Sequence, residues 1–143
     1  MTSAGRIALE LARVLLVDDD PASRLTLQTV LQAGGYHVDS AASAAEAVGK
    51  LDERVYELVL SDLQMESPEA GLKVLAHARM MDYKPATAIV TTYQNAASPE
   101  SGSRTSKMLI TPEDLPGLLG KVANLISERA ARRMQRELRH ANA

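Results

Sequence analysis

Three aspartates follow apolar runs of the sequence in a way that can bring them together. Asp18 and Asp19 come directly after the run RVLLV, Asp62 follows YELVLS, and Thr91 follows TAIV. Oxygen ligands without His or Cys suit a hard ion such as Mg²⁺ or Mn²⁺. A divalent ion, a nucleophilic carboxylate and a hydroxyl donor are together what phosphoryl transfer needs. The pattern therefore predicts a metal and phosphate site, although each acidic residue alone is equally typical of a solvated turn.

The elements that would position these residues alternate between strands and helices. Short apolar or alternating runs predict five strands, and segments with helical apolar spacing follow the first three strands and the fifth. This order is typical of a doubly wound α/β fold with a parallel sheet, whose ligand site lies beyond the carboxyl ends of the strands. The predicted strands are Arg13–Val17, Tyr36–Ala41, Tyr56–Ser61, Thr87–Val90 and Met108–Ile110.

Length and composition exclude several classes of protein. The 143 residues correspond to one domain, and the net charge of −2 argues against a globally basic nucleic-acid binder. The chain has no Cys, which excludes disulfide scaffolds and thiolate metal sites. No apolar run approaches the ~20 residues of a membrane helix, and the first residues do not resemble a signal peptide. We expect a soluble, cytoplasmic protein that does not enter a membrane.

The end of the chain differs in charge from the rest. Residues 127–143 contain five Arg and two Glu, a net charge of +3, which leaves −5 for residues 1–126 out of the total of −2. We predict an N-terminal extension at 1–11, the α/β domain at 12–126 and a basic helical extension at 127–143. The simplest interpretation of the extension is a solvated helix end. The alternatives are a coupling or dimerisation helix and the start of a linker to an effector. Nucleic-acid binding is disfavoured, because no recognition motif accompanies the arginines.

Three motifs, in order, carry a resemblance to a known family. RVLLVDDDPASR, VLSDLQM and AIVTTYQ resemble the receiver domain of two-component response regulators over about residues 12–126. The resemblance implies the five-stranded flavodoxin-like receiver fold. It also implies that Asp62 accepts a phosphoryl group from a histidine kinase or a phosphotransfer protein. The chain would then be a signalling domain in a phosphorelay, acting by contact with a downstream protein, and not an enzyme with a separate substrate.

The same resemblance implies roles for the residues around the acceptor. Asp19 would bind Mg²⁺ directly, Asp18 would bind it through water, and the backbone carbonyl of Gln64 would be a further ligand beside the acceptor carboxylate. Thr91 would contact the phosphoryl group. Gln64 and Tyr93 occupy positions that tune loss of the phosphoryl group by hydrolysis in the family, so self-dephosphorylation is an expected side reaction.

Two positions depart from the family pattern. Thr111 precedes Pro112 where the family has a lysine, and a threonine can donate a hydrogen bond but carries no charge. Lys107 and Lys84 are expected at the wrong end of the strands to replace it. Met108 stands on the fifth strand where an aromatic residue is often found, and it would modulate the switch at the threonine.

Two alternatives remain from the sequence. In the first, the phosphoryl switch is degraded and the domain is a pseudo-receiver that acts as a protein-interaction module. In the second, Asp18-x-Asp20 and Val90-Thr91 belong to a haloacid-dehalogenase-type phosphohydrolase. The small chain without a cap domain argues against the second alternative.

Overall fold

A computed structural model of the chain describes residues 12–62, 65–67, 69–92, 106–110 and 115–141. Five parallel strands form one sheet in the order β2-β1-β3-β4-β5. Among these residues, no helix is both long enough and apolar enough to cross a membrane. The strands are β1 (Arg13–Val17), β2 (His37–Ala41), β3 (Leu58–Asp62), β4 (Ala86–Thr92) and β5 (Ser106–Ile110); the helices are α1 (Pro21–Ala33), α2 (Ala44–Glu53), α3 (Ala70–Arg79) and α4 (Leu115–Ala141).

Helices cover both faces of the sheet, as the doubly wound prediction requires. The interior strand β1 is apolar without alternation because its residues from Val14 to Val17 are all buried. Alternate side chains of β1, β3 and β4 enter two separate core layers. On one face α1 and α4 contribute Leu27, Leu31, Leu118 and Val122. On the other face α2 and α3 contribute Ala47, Leu51, Ala70, Val74, Leu75 and Ala78.

The helix ends follow the signals in the sequence. The Asp20 carboxylate accepts a hydrogen bond from the Ser23 backbone N–H at 3.1 Å and caps α1, with Pro21 at its first position. Ser43 caps α2 by accepting from the Glu46 N–H at 3.2 Å. After α1 the chain turns at Gly35, whose φ of 100° is in the left-handed region that favours glycine.

The strand limits differ slightly from those predicted. β4 continues through Thr92, so Thr91 lies inside the strand, and β5 begins at Ser106. The third strand begins at Leu58, because Tyr56 belongs to the turn before it and packs in the core with its hydroxyl on the Asp39 carboxylate at 2.7 Å. Burial of Tyr56 gave the segment a strand-like apolar pattern that its backbone does not adopt.

The last helix is a single element of 27 residues, as its high helical propensity predicted. This helix runs without a break through residues 126 and 127, where we predicted that the domain ends. That domain limit stays a prediction. The extension is not wholly solvated, because Arg129 is buried with 7% of its surface exposed. Its guanidinium donates hydrogen bonds to the backbone carbonyls of Tyr83 at 2.7 Å and Lys84 at 2.9 Å. These bonds attach the extension to the loop before β4.

Candidate functional site

The structure brings the three predicted aspartates together at the carboxyl edge of the sheet. One carboxylate oxygen from each of Asp18, Asp19 and Asp62 lies within 4.8 Å of the others. Asp18 is buried with 3% exposure, Asp62 is half-buried and Asp19 is exposed. This gives a pocket that is closed on one side and open to solvent on the other. It is the arrangement predicted from two separate strand ends.

The backbone of the β1–α1 loop is held firmly beneath the pocket. The Asp18 N–H donates to the Ala41 carbonyl at 3.0 Å, which extends the pairing of β1 with β2. Asp18 Oδ1 accepts from the Asp20 N–H at 3.0 Å, and the Arg24 guanidinium donates to the Asp18 carbonyl oxygen at 2.8 Å. These three bonds orient Asp18 and, through the backbone, Asp19. Arg24 was not singled out in the sequence, since nothing in its spacing distinguishes it from a solvated helix residue.

The first turn of α3 packs tightly against the end of β3. A Cβ on Gly71 would collide with the Asp62 carbonyl oxygen and would lie 3.2 Å from Ser61 Oγ. Glycine is required here because the helix backbone approaches the acceptor strand closely. The loop before α3 is also tied down, since Glu66 accepts a hydrogen bond from the Ala44 N–H at 3.2 Å. Gly71 thus fixes where Asp62 ends the strand, a function that the sequence pattern did not reveal.

The other predicted site residues are placed only in part. Asp62 pairs with Val90 in the β3–β4 register, so the backbone of Thr91 lies one step further along the same edge. Met108 lies in β5 beside Val90. Gln64, Tyr93 and Thr111 lie outside the residues that the structure describes. Their roles stay predictions.

The two lysines considered as replacements for Thr111 occupy different levels of the sheet. Lys84 precedes β4, and its Nζ donates to the Arg79 carbonyl at 2.8 Å at the opposite edge of the sheet. Lys107 pairs with Ile89, two residues before Thr91 along the neighbouring strand. The position of Lys84 agrees with the prediction that it is at the wrong end, whereas Lys107 is level with Ser61, one register step before Asp62, and its prediction is not confirmed.

The donor set suits a hard divalent cation. Three carboxylates contribute oxygen only, without nitrogen or sulfur, and this favours Mg²⁺ or Mn²⁺ over zinc. Clustered like charges also raise the free energy of the empty pocket, so a cation stabilises the cluster by offsetting them. Asp20 takes no part in the cluster, because its side chain caps α1. The phosphohydrolase alternative therefore loses the second carboxylate of its Asp-x-Asp motif.

A doubly wound parallel sheet with an acidic pocket beyond its carboxyl ends defines the flavodoxin-like class of receiver fold. Residues 14–105 match the family described as the response regulator receiver domain. The chain belongs to this family. It is a receiver domain of a response regulator, and thus a signalling domain.

Similar proteins agree with this assignment. ZraR, a transcriptional regulatory protein of Escherichia coli O157:H7, is 31% identical over 107 residues, which cover 73% of this chain but 24% of that protein. The chain thus spans about a quarter of the length of that curated relative. CpdR, a response regulator receiver protein of Brucella abortus, is 28% identical over 116 residues, or 80% of this chain and 96% of that protein.

A similar solved structure is the response regulator TrrA of Thermotoga maritima in complex with Mg²⁺-BeF. It has 30% identity and a TM-score of 0.69, and the match covers 80% of this chain and 99% of that one. TrrA has also been solved in complex with the histidine kinase ThkA, with 29% identity, the same TM-score of 0.69, and coverage of 80% and 98%.

Proposed function

We propose that Asp62 is the phosphoryl acceptor of this receiver domain and that Asp18, Asp19 and Asp62 hold Mg²⁺ beside it. The observation that carries the proposal is the convergence of the three carboxylates within 4.8 Å at the carboxyl edge. The complex of TrrA with Mg²⁺-BeF supports the choice of metal and of chemistry. The backbone carbonyl of Gln64 is proposed as a further ligand.

The proposed transfer moves one phosphoryl group between two side chains. A carboxylate oxygen of Asp62 attacks phosphorus in a phosphohistidine of the donor protein, so an O–P bond forms as the P–N bond breaks. The electron pair of the broken bond stays on the donor's imidazole. When bound, the divalent ion supplies positive charge that offsets the phosphoryl oxygens. Thr91 donates its hydroxyl hydrogen to a phosphoryl oxygen, and the uncharged Thr111 takes the position of the missing lysine.

Partners and location follow from the same proposal. The donor is a histidine kinase or a phosphotransfer protein, as the complex of TrrA with ThkA suggests for a related receiver. A downstream protein target reads the phosphorylated state, and a homodimer remains an alternative form of output. We place the chain in the cytoplasm, where such donors receive phosphate from ATP. Gln64 and Tyr93 set the rate of self-dephosphorylation.

A pseudo-receiver is the second candidate function, and one observation favours it. The lysine that would neutralise the phosphoryl group is absent from the Thr111 position, and Lys84 donates to the Arg79 carbonyl at the opposite edge of the sheet. Without that charge the acidic pocket can persist while the switch is weakened. The two candidates differ in whether the pocket accepts a phosphoryl mimic.

Titration with beryllofluoride, followed by NMR, tests the proposal. We expect amide shifts around Asp62 and Thr91 that require Mg²⁺, because the fluoride mimic binds a carboxylate only when the metal offsets its charge. Asp62→Asn is the matched control, since it removes the nucleophile with little change in shape. An unchanged wild-type spectrum in the presence of Mg²⁺ would contradict the phosphorylation proposal and support the pseudo-receiver.

A further inference from the structure

A second cleft lies at the amino edge of the sheet, opposite the aspartates. It has a volume of about 550 Å³ and lies between the start of β4 and the far half of α4. Four cationic side chains and one carboxylate face it, which are Arg79, Lys84, Arg132, Arg136 and Glu128. The lining therefore carries a net charge of +3 in a chain whose total charge is −2.

A buried contact holds α4 against the loop before β4, and these two elements line the cleft. Arg129 projects from α4 between them and donates to the backbone carbonyls of Tyr83 and Lys84. The Lys84 backbone has φ of 44°, an uncommon value for a side chain with a Cβ, so the loop is held in a specific shape. Lys84 Nζ in turn donates to the Arg79 carbonyl at the end of α3. The basic side chains are thus presented from elements that are fixed to one another.

The positive charges in this cleft exceed the negative charge of Glu128, the one acidic residue that the structure describes in its lining. Within the part of the chain that the structure describes, Arg79, Arg132 and Arg136 form no ion pair. Burial lowers the pKa of Arg129, and the charge of Arg133 lowers it further. Glu57 opposes this shift, and Arg132 and Arg136 lower the pKa to a smaller extent. A positive potential of this kind attracts an anion.

We propose that this cleft binds a small ligand with two or more linked phosphate groups, such as a nucleoside diphosphate. Guanidinium groups bind phosphate oxygens in pairs, and three arginines face the same space. The volume falls within the ~300–1,000 Å³ of small-molecule sites. Pro85, Ala86 and Leu125 form an apolar wall that suits the non-phosphate part of the ligand.

This site is independent of the proposed phosphorylation at Asp62. The two sites lie at opposite ends of the strands, which span ~16 Å for five residues at about 3.3 Å each. The cleft presents cations where the aspartate pocket presents carboxylates, so it needs no metal. Binding can therefore be measured with EDTA present, where the acidic pocket holds no divalent ion.

Calorimetric titration of the full chain with ADP and with pyrophosphate tests the proposal. We expect both to bind in EDTA, with ADP the tighter ligand because the apolar wall contacts its nucleoside. The double variant Arg132→Gln/Arg136→Gln should lose about tenfold or more in affinity, since it removes charge-assisted hydrogen bonds from exposed side chains without disturbing the core. Amide shifts on binding should be centred on Thr87 and Leu125.

Arg139→Gln is the control, because it removes one arginine charge from the same helix outside the lining. We expect its affinity to stay within about twofold of the wild type. Equal losses in Arg139→Gln and the double variant would show diffuse attraction and overturn the site. So would the absence of heat with both ligands. Tighter binding of hexaglutamate than of ADP would overturn the phosphate assignment and identify an acidic peptide as the ligand.

Discussion

The two ends of one sheet surround their aspartates in opposite ways. At the carboxyl edge, Asp18, Asp19 and Asp62 have carboxylate oxygens within 4.8 Å of each other. Near the amino edge, Asp39 lies 3.5 Å from an Arg13 nitrogen and 3.6 Å from an Arg54 nitrogen. Like charges destabilise the folded chain, whereas opposite charges stabilise it. The carboxyl edge thus favours binding of a cation, whereas the residues around Asp39 stabilise the fold.

The ionisation of Asp39 reflects these surroundings. Burial raises its pKa, but the hydrogen bond from Tyr56 and the charges of Arg54, Arg13 and His37 bring the pKa below its ordinary value of 3.8. The charged form is therefore favoured by folding. The same contact and burial raise the pKa of the Tyr56 hydroxyl, burial having the larger effect.

The largest difference between the two edges is expected for Asp19→Asn, in the gain in stability that Mg²⁺ provides. This substitution removes a proposed metal ligand and one of three repelling charges, so the metal-free protein should become more stable. At Mg²⁺ concentrations 100-fold above Kd, the wild type should gain about 2.7 kcal/mol in its free energy of unfolding. The variant should gain far less. Urea unfolding with and without Mg²⁺ measures both changes.

Asp82→Asn is the control for this experiment, because Asp82 is an exposed carboxylate at the amino edge. It should leave the gain from Mg²⁺ unchanged. Equal stabilisation of Asp19→Asn and the wild type by Mg²⁺ would remove Asp19 from the metal site.

A smaller effect, a loss of stability, is expected from Gly71→Ala at the carboxyl edge. The added methyl group would collide with the Asp62 carbonyl oxygen, so helix and strand must separate, at about 2 kcal/mol in the free energy of unfolding. Gly49→Ala is a matched control in α2, because no atom of the described residues, apart from its chain neighbours and its own helix backbone, lies within 4 Å of the added Cβ. It should stabilise the chain by about 0.5–1 kcal/mol through helix propensity. Equal shifts in thermal unfolding would show that the close approach is unimportant.

At the amino edge, Arg129→Met should destabilise the protein by about 1.5 kcal/mol. The two carbonyl groups of Tyr83 and Lys84 lose their charged donor while the apolar part of the side chain is kept. Hydrogen exchange at residues 130–141 should accelerate, because the helix is no longer tied to the loop. Arg133→Met, at an exposed position of the same helix, should change neither measurement. Similar exchange rates in both variants would contradict the proposed anchor.

The smallest effect is expected from Tyr56→Phe, at about 1 kcal/mol for one lost hydrogen bond. Because Asp39 binds its proton less readily in the folded than in the unfolded state, stability is full above pH 3.8 and falls as pH drops through the lower folded pKa. Removing the Tyr56 hydroxyl raises the pKa of Asp39 in the folded state, so the free energy of unfolding falls less steeply as the pH drops. Urea unfolding across acidic pH measures the slope.

Tyr83→Phe is the matched control, because that hydroxyl donates to the Leu51 carbonyl at 2.9 Å and not to a carboxylate. It should leave the acid slope intact. Burial, followed by the charge of Asp52, raises the pKa of Tyr83 to about 12, with Arg129 opposing. Its own contribution to stability is therefore present below pH 10 and lost between pH 10 and about 12. An acid slope equal to the wild type in Tyr56→Phe would exclude the Asp39 contact.

Much of the fold and of the acidic pocket could be predicted because both depend on short-range patterns. The uniformly apolar run at Val14–Val17 indicated a strand covered on both faces, and Asp20 with Pro21 indicated where α1 begins. Parallel strands place their carboxyl ends at one edge, so Asp18 and Asp62 had to approach each other once the strands were identified.

What could not be predicted depends on contacts between distant segments. The sequence predicts that Arg129 is a solvated helix residue. Only the position of the loop at Tyr83 and Lys84 shows that it is buried. Gly71 reads as a poor helix former until the nearby Asp62 carbonyl is known. The roles of Gln64, Tyr93 and Thr111 rest on family resemblance and stay predictions.

The continuous α4 has a mechanical consequence. Its 27 residues make a rod ~40 Å long at about 1.5 Å per residue. Leu118 and Val122 fix one half in the core, while residues 130–141 are exposed. Arg129 anchors the helix near its middle, so a tilt of the packed half about this point moves the exposed end by a similar distance in the opposite direction. A partner bound to the exposed end would experience a change in the direction of the helix and no change in its length.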